Sequence, residues 1–226
     1  MLRLVSSMAP KQLLADLAAQ WQRSTGLAVS ITSVGGLDAA RRVREGEAFD
    51  AVVLASDAID SLIDGGSAVP GSKVDLARSA VAVAVKAGEP VPDISTESAL
   101  RRTIEAASGI GYSTGPSGVA LVKLLQRWGI LDALGSRVVQ VPPGIPVGAL
   151  VARGEVALGF QQLSELMHLE GIIVVGVLPG SASITTIFSA AVCVASTQRE
   201  ELAGLLAFMA SNDVANIKLQ NGMQAP

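Results

Sequence analysis

The chain has 226 residues, enough for one large domain or two lobes of roughly 100 residues each. Half of the residues are hydrophobic and 16% are charged, which excludes global disorder and allows a large core. The formal net charge is −3 and no basic block occurs, so we expect no nucleic-acid partner. Because no apolar stretch reaches about 18 residues, we also expect no direct membrane insertion.

The composition also limits how the core is built and which disulfide or metal sites can form. With only 3% aromatic residues, Val, Ala, Leu and Ile must build the core, which suits parallel strands covered by helices. Cys193 and His168 are the only cysteine and histidine, which excludes an internal disulfide and any cysteine or two-histidine metal site. We expect Cys193 to be buried, His168 to lie on the surface, and no metal or cofactor to bind.

Apolar, β-branched runs alternate with amphipathic stretches along the whole chain. The predicted strands are Leu2–Val5, Ala28–Ser33, Phe49–Ala55, Ser79–Val85, Gly109–Tyr112, Arg137–Val141, Val156–Phe160, Ile172–Gly176 and Thr185–Ala195. The predicted helices are Pro10–Arg23, Asp38–Arg44, Ala58–Asp64, Ser98–Ala107, Val119–Trp128, Leu131–Leu134, Val147–Arg153, a helix from Leu163, Glu200–Ala210 and Val214–Asn221. This alternation predicts an α/β fold with mostly parallel sheets covered by helices.

Two loop-rich regions predict a division into two lobes. Lobe I would contain residues 1–79 and 185–226, and therefore both termini, whereas lobe II would contain residues 80–184. The runs around Ser79–Val85 and Thr185–Val192 would cross between the lobes. We expect these two crossovers to form a hinge beside an interlobe cleft.

Five predicted strand-to-helix junctions share small or neutral polar residues. They are Ser6-Ser7, Ser33–Gly36, Ser113–Gly118, Val141–Gly144 and Phe160–Gln162. Ligands of parallel α/β sheets bind at the carboxyl ends of the strands, where helix N-termini offer free N–H groups. Since no acidic residue precedes Asp38 or Glu165 at these junctions, the pattern predicts a site for a small anion. The alternative is ordinary turn chemistry, because capping residues occur at most helix starts.

Two further features refine this hypothesis. At the third junction, Pro116 suits the first helical turn, Ser113 or Ser117 can cap the helix, and Gly118 allows close approach to the backbone. Arg78 directly precedes an apolar strand. It could present a bidentate fork to a carboxylate, or it could be a surface arginine paired with Asp75. Signatures of nucleotide-binding loops, zinc peptidases and serine hydrolases are missing.

Several segments together resemble one protein family. They are Leu2–Ser7, Leu14–Gly26, Gly35-Gly36, Arg44–Leu54, Val147–Glu165 and Gly171–Pro179. They are similar to the molybdate-binding-protein-like group of type II periplasmic binding proteins. This resemblance implies two α/β lobes that close on a ligand, a periplasmic location and an ABC-transporter membrane component as partner. The chain shows no signal peptide before its first strand, which leaves a cytoplasmic location open.

The resemblance also implies positions for ligand contacts and two departures from molybdate binders. The implied contacts fall on Ser6 or Ser7, Gly35, Gly36, the Pro116–Gly118 turn and Pro143. Molybdate binders carry a tyrosine where this chain has Gln161-Gln162, and a Ser or Thr pair where it has Gly35-Gly36. The Gln-Gln version, with Leu76–Ser79 and Pro92–Thr96, resembles a subgroup that includes aconitate isomerase, an enzyme acting on a tricarboxylate.

The sequence therefore favours a solute-binding protein of the ABC-transporter type for a small organic carboxylate or oxyanion. The predicted ligand-binding residues are Ser6, Ser7, Gly35, Gly36, Arg78, Ser113, Ser117, Gly118, Pro143, Gln161 and Gln162. The alternative is an isomerase acting on a small polycarboxylate. That reaction needs a base, and Tyr112, Glu165 or a serine are the only options at these junctions.

Overall fold

Strands and helices alternate along residues 1–226, all of which the computed structural model describes. The strands are β1 (Leu2–Ser7), β2 (Val29–Val34), β3 (Ala51–Ala55), β4 (Val74–Lys86), β5 (Ile110–Tyr112), β6 (Val138–Gln140), β7 (Leu158–Gln162), β8 (Ile172–Val177), β9 (Thr185–Val192) and β10 (Met223–Gln224). The helices are α1 (Lys11–Thr25), α2 (Gly36–Arg44), α3 (Ser56–Asp64), α4 (Glu97–Ala106), α5 (Pro116–Arg127), α6 (Leu131–Leu134), α7 (Val147–Arg153), α8 (Leu163–Leu166), α9 (Arg199–Ala210) and α10 (Ala215–Gln220). The predicted α/β class is confirmed.

The chain divides into two compact units. Unit 1 comprises Met1–Ser79 and Ile187–Pro226, and unit 2 comprises Ala80–Thr186. The chain leaves unit 1 within β4 and returns to it within β9. The hinge role of these two strands stays a prediction.

The sheet of unit 1 has parallel strands at one side and antiparallel strands at the other. Strand β1 lies between β2 and β3 and is parallel to both. Strand β9 is antiparallel to β3, and β10 is antiparallel to the first part of β4. Alternation along β1 explains the two-sided core, since Leu2 and Leu4 pack with α1 and α9 whereas Val5 packs with α2 and α3.

Unit 2 has a second sheet whose core also lies on both faces. Strand β5 is parallel to β6 and β7, whereas β4 is antiparallel to β7 and β8. On one face Phe160 packs with residues of α4 and α5. On the other face α7 lies so close that a Cβ on Gly159 would come within 2.5 Å of Val151 Cγ2. A glycine is therefore needed there for close helix–sheet packing.

Three strand boundaries differ from the sequence prediction. Strand β1 extends to Ser7, so Ser6 and Ser7 end the strand instead of following it. Strand β7 runs from Leu158 to Gln162, so both glutamines end the strand instead of following it. Their antiparallel pairing with Ala82 and Val81 of β4 extends the ladder to this point. Strand β4 begins at Val74, five residues earlier than predicted, where β10 and β9 provide neighbours for it. These long-range pairings leave no local signal in the sequence. None of the helices has the length and apolar character that crossing a membrane requires.

Candidate functional site

The parallel strands of unit 1 end at one edge of its sheet, which we call edge 1 (Ser6, Ser7, Ser33, Gly35 and Gly36). The register pairs Ser6 with Ser33 and Ser7 with Val34 across β1 and β2. Helix α2 starts directly after β2, with Gly35 as its N-cap. The register therefore gathers three hydroxyls and a helix N-terminus at the carboxyl ends of adjacent strands, as predicted.

Two of the hydroxyls at edge 1 satisfy each other. Ser6 Oγ and Ser33 Oγ lie 2.8 Å apart, within hydrogen-bond distance, and Ser6 is completely buried. Each hydroxyl can donate one hydrogen bond and accept others, so the pair keeps one donor and spare acceptor capacity. We therefore assign the pair a structural role, because removal of either hydroxyl would leave the other without this hydrogen bond.

Ser7 differs from Ser6 because its buried hydroxyl has no partner. Its Oγ is inaccessible and makes no hydrogen bond. The adjacent backbone is that of Gly36, where an added Cβ would lie 3.6 Å from Ser7 Cβ. No side chain caps the first turn of α2. An unpartnered hydroxyl beside uncapped helical N–H groups can donate to an anion that approaches this turn.

The candidate charged residues of unit 1 contact partners outside edge 1. Asp38, in the first turn of α2, forms an ion pair with Arg41, which also pairs with Glu45. Arg78 is exposed, and its Nε donates to Gln224 Oε1 at 3.2 Å. Arg78 is thus a surface arginine, as the alternative interpretation held, but it forms no ion pair with Asp75, which accepts from Ser189 Oγ at 2.6 Å.

Unit 2 has an equivalent edge, which we call edge 2 (Ser113, Ser117, Gly118, Val147, Gln161 and Glu165). Tyr112, at the end of β5, pairs with Phe160 of β7 and with Gln140 of β6. The segments that follow these three parallel strands therefore start side by side. Edge 2 combines hydroxyls, a side-chain amide and a carboxyl group, whereas edge 1 holds hydroxyls and glycines.

The β5–α5 turn is held by contacts among its own residues. Pro116 occupies the first turn of α5, as predicted, and Gly115 is the N-cap. Neither Ser113 nor Ser117 caps the helix, so that prediction is wrong; their hydroxyls lie 3.0 Å apart and bond to each other. A Cβ on Gly118 would lie 1.8 Å from the Ser113 carbonyl oxygen. Gly118 is therefore required by the tightness of the turn.

Gln161 has a single possible amide orientation. Its Oε1 accepts from the backbone N–H of Val147 at 2.9 Å, and its Nε2 donates to Glu165 Oε1 at 2.9 Å. Since a backbone N–H can only donate, the amide oxygen must face Val147 and the NH₂ group must face Glu165. Gln161 is buried, and the second N–H of its amide forms no hydrogen bond within the protein.

Glu165 is the ionisable group of edge 2. Burial raises the pKa of its carboxyl group to about 7, and the hydrogen bond from Gln161 opposes that rise. Desolvation penalises the charged form, and Glu165 forms no ion pair that would compensate it. The carboxyl group can therefore exchange a proton near neutral pH.

The remaining predicted residues of unit 2 behave differently from each other. Gln162 is buried, and its Nε2 donates to Thr186 Oγ1 at 2.7 Å, while its Oε1 has no partner. Pro143 lies in the exposed loop after β6 and has no N–H to donate. The structure thus joins Gln161 to edge 2 through Val147 and Glu165, places Gln162 beside Thr186, and shows no such contact for Pro143.

Three partners of these residues were not among the predicted site residues. Ser33 pairs with Ser6, the Val147 N–H bonds Gln161, and Thr186 bonds Gln162. Ser33 could have been found, since it ends the second predicted strand next to Gly35-Gly36. The other two contacts join residues 14 and 24 positions apart, and no local pattern signals them.

The single cysteine and the single histidine lie outside the two edges. Cys193 is buried, and burial, reinforced by the negative charge of Asp50, raises the pKa of its thiol to about 12. A thiol with this pKa is a poor nucleophile near neutral pH. His168 is exposed.

Comparisons with known proteins agree with this architecture. Residues 2–224 match the family described as bacterial extracellular solute-binding protein. Aconitate isomerase from a Pseudomonas species is 37% identical over 214 residues, which cover 92% of this chain and 82% of that enzyme.

Solved structures share the fold at lower sequence identity. The periplasmic molybdate-binding protein of Azotobacter vinelandii superposes with a TM-score of 0.83 at 21% identity, covering 100% of both chains. PEB3 bound to L-phospholactate superposes with a TM-score of 0.76 at 14% identity, covering 99% of both chains. The fold is thus that of periplasmic binding proteins. Together with the match over residues 2–224, it shows that this chain belongs to the bacterial extracellular solute-binding protein family.

Proposed function

We propose that the chain binds a small organic carboxylate at its strand edges and delivers it to an ABC-transporter membrane component. The buried, unpartnered Ser7 hydroxyl beside the uncapped start of α2 carries this proposal. Ser79, Ser164 and Ser211 also have buried hydroxyls without a partner, but the Ser7 hydroxyl ends a parallel strand beside a helix start, where a ligand oxygen would satisfy it. The remaining donors are neutral, which suits an anion held by hydroxyls and N–H groups.

The choice of an organic carboxylate over an inorganic oxyanion rests on the relatives. The relative at 37% identity is an enzyme named for aconitate, whereas the molybdate-binding protein shares 21% of its residues. PEB3, which binds the organic anion L-phospholactate, shares the fold. Gln161-Gln162 and Gly35-Gly36 also depart from the residues that the resemblance assigns to molybdate binders.

A thermal-shift panel tests this proposal. The panel contains citrate, cis-aconitate, trans-aconitate, malate, molybdate, tungstate and sulfate, each added to freshly purified and dialysed protein. A ligand at about 100 times its Kd stabilises the folded state by about 2.7 kcal/mol. For a chain of this size we expect the Tm to rise by roughly 5–10 °C with at least one carboxylate. No shift with any carboxylate contradicts the proposal, and a shift with molybdate or tungstate alone assigns the chain to inorganic oxyanions.

A second candidate function is isomerisation of an aconitate-like tricarboxylate. The 37% identity to aconitate isomerase over 92% of the chain favours it. Moving a proton within such a substrate needs a group that both accepts and donates protons near neutral pH. Glu165, with a pKa of about 7, fits this requirement better than the other candidates that the sequence offered.

Proton NMR of cis- and trans-aconitate incubated with the protein tests the second candidate. We expect interconversion above the buffer rate, and a loss of at least about 100-fold in Glu165→Gln, since removal of a general acid–base costs about that much. Binding of aconitate without interconversion leaves the solute-binding function and removes the enzymatic one.

A further inference from the structure

We propose that anion binding at edge 2 is coupled to uptake of a proton by Glu165, so that the protein binds its ligand more tightly as the pH falls. The inference rests on the proposed anion-binding function and adds a regulation to that site. The carboxyl group of Glu165 is one hydrogen bond away from Gln161, which in turn bonds the Val147 N–H. A titratable group is thereby tied directly to the neutral donors of the edge.

The amide of Gln161 cannot turn away from Glu165. The Val147 N–H holds the amide oxygen, so the amide NH₂ must remain on the carboxyl group in either protonation state of Glu165. Gln161 donates to the ionised carboxylate and, more weakly, to the carbonyl oxygen of the neutral acid. Protonation therefore changes the charge of edge 2 without changing the orientation of its amide donor.

No charged side chain neutralises the carboxylate of Glu165. Around α8, the neighbouring residues of β4, β8 and the segment after α8 form an apolar cluster that includes Ala82, Leu166 and Val174. Strands β7 and β8 carry no titratable side chain. The titratable groups on the other surrounding elements are Asp75, Arg78 and Lys86 of β4, Tyr112 of β5, Lys123 and Arg127 of α5, Arg153 of α7, and His168 and Glu170 after α8. None of them forms an ion pair with Glu165; Arg153 pairs with Glu155.

Repulsion between a bound anion and an ionised Glu165 would couple ligand binding to protonation. An anion bound near an ionised Glu165 meets a like charge in a poorly solvated environment, which disfavours one of the two charges. Protonation of Glu165 removes this repulsion at the lowest free-energy cost, because the pKa of Glu165, about 7, already lies far above the value of an exposed carboxyl group. By linkage, a ligand that prefers the protonated form raises this pKa further and takes up a proton on binding. Asp38, the acidic residue that follows edge 1 in α2, differs from Glu165 because it forms an ion pair with Arg41.

Isothermal titration calorimetry tests the coupling, with trans-aconitate, citrate and molybdate as probes. Kd is measured between about pH 6 and pH 8.5, and each probe is titrated in two buffers of different ionisation enthalpy to count protons. With full coupling, the affinity above pH 7 falls by up to tenfold per pH unit. For the tightest probe we expect a fall of roughly tenfold over this range and an uptake of at least about half a proton at the upper end.

Two variants separate Glu165 from other sources of pH dependence. Glu165→Gln keeps the size and the acceptor oxygen of the neutral acid, so its affinity should stay flat with pH once the ionisation of the probe is subtracted. Glu170→Gln removes an exposed carboxylate nearby on the chain and should keep the wild-type slope. Thermal melts of both variants verify that they are folded.

The outcomes distinguish the inference from the proposed function beneath it. Equal pH slopes and equal proton counts in wild type and Glu165→Gln overturn the coupling while leaving anion binding intact. A slope that Glu170→Gln also abolishes assigns the proton to another group and overturns it as well. If no probe binds at any pH, the anion-binding function itself fails, and the coupling fails with it.

Discussion

Edge 1 and edge 2 have the same position at the carboxyl ends of parallel strands but differ in their chemistry. At edge 1 the polar groups are hydroxyls beside glycines, and the nearby acid, Asp38, is partly exposed and paired with Arg41. At edge 2 the hydroxyls are joined by Gln161 and by a carboxyl group with a pKa of about 7. The acid near one edge is thus paired with a cation, whereas the carboxyl group of the other edge has no ion-pair partner and can exchange a proton near neutral pH. The contrast teaches that similar junction sequences can yield a passive and a titratable surface.

The largest expected difference between the edges is in the stability loss when one glycine of each is replaced by alanine. Gly118→Ala should lower the free energy of unfolding by about 3 kcal/mol or more, because its Cβ would lie 1.8 Å from a backbone oxygen that cannot move freely. Gly36→Ala should change stability by less than about 1 kcal/mol, since its nearest neighbour would be 3.6 Å away. Urea denaturation of both variants measures the difference. Similar losses in the two would show that the turns are equally tight.

Titration of Glu165 should make stability depend on pH through edge 2. The carboxyl group of a folded chain with a pKa of about 7, against 4.5 for the free group, retains a proton that the unfolded chain has already released. Stability therefore falls as the pH rises from 4.5 to 7, and the loss is complete above 7. The pKa difference corresponds to roughly 3 kcal/mol.

Glu165→Gln removes this cost. We expect its free energy of unfolding to exceed that of wild type by up to about 3 kcal/mol at pH 8 and to match it at pH 4.5 or below. Urea denaturation at both pH values measures the effect. The control Asp38→Asn at edge 1 should show no comparable gain at pH 8, because its ion pair with Arg41 is lost. A pH-independent gain in Glu165→Gln would indicate better packing instead of lost charge.

Removal of single hydroxyls at edge 1 should distinguish a residue that binds the ligand from one that stabilises the fold. Ser7→Ala removes a buried hydroxyl that has no partner, so stability should stay constant or rise by up to about 1 kcal/mol. Carboxylate affinity should fall about tenfold, since one hydrogen bond to a charged ligand is lost. The matched variant Ser6→Ala breaks the pair with Ser33 and should cost about 1 kcal/mol of stability. Calorimetry and thermal melts measure both effects; unchanged affinity in Ser7→Ala argues against its role as a donor.

Arg78 is expected to give the smallest effect. Because its side chain is exposed, we expect Arg78→Ala to weaken binding of citrate or trans-aconitate by only about fivefold, and of molybdate by less than about twofold. Gln224→Ala removes the hydrogen-bond partner of Arg78 but keeps the charge, and should leave both affinities unchanged. Titration calorimetry of each variant compares the two ligand classes. Equal losses for both classes would mean that Arg78 acts through general charge and not as a carboxylate fork.

The sequence predicted the strands well but their exact ends and side-chain contacts less well. Ser33 lies near the end of β2 as predicted, since β-branched runs and glycine stops are local signals, whereas Ser6 and Ser7 end β1 instead of following it. The prediction placed β7 two residues too early because antiparallel pairing with β4 is a long-range effect. The expected serine cap of α5 was also wrong, since Ser113 and Ser117 bond each other instead.

By itself, the sequence determined the alternation of strands and helices and the mostly neutral character of the junctions that follow the parallel strands. Those properties depend on neighbouring residues and on periodicity. Only the tertiary structure decided which hydroxyls are satisfied, how the amide of Gln161 is oriented, and that Glu165 titrates near pH 7. The physical reason is that hydrogen-bond partners and desolvation come from elements distant in the chain, and here β4, β7 and β8 supply them to α8.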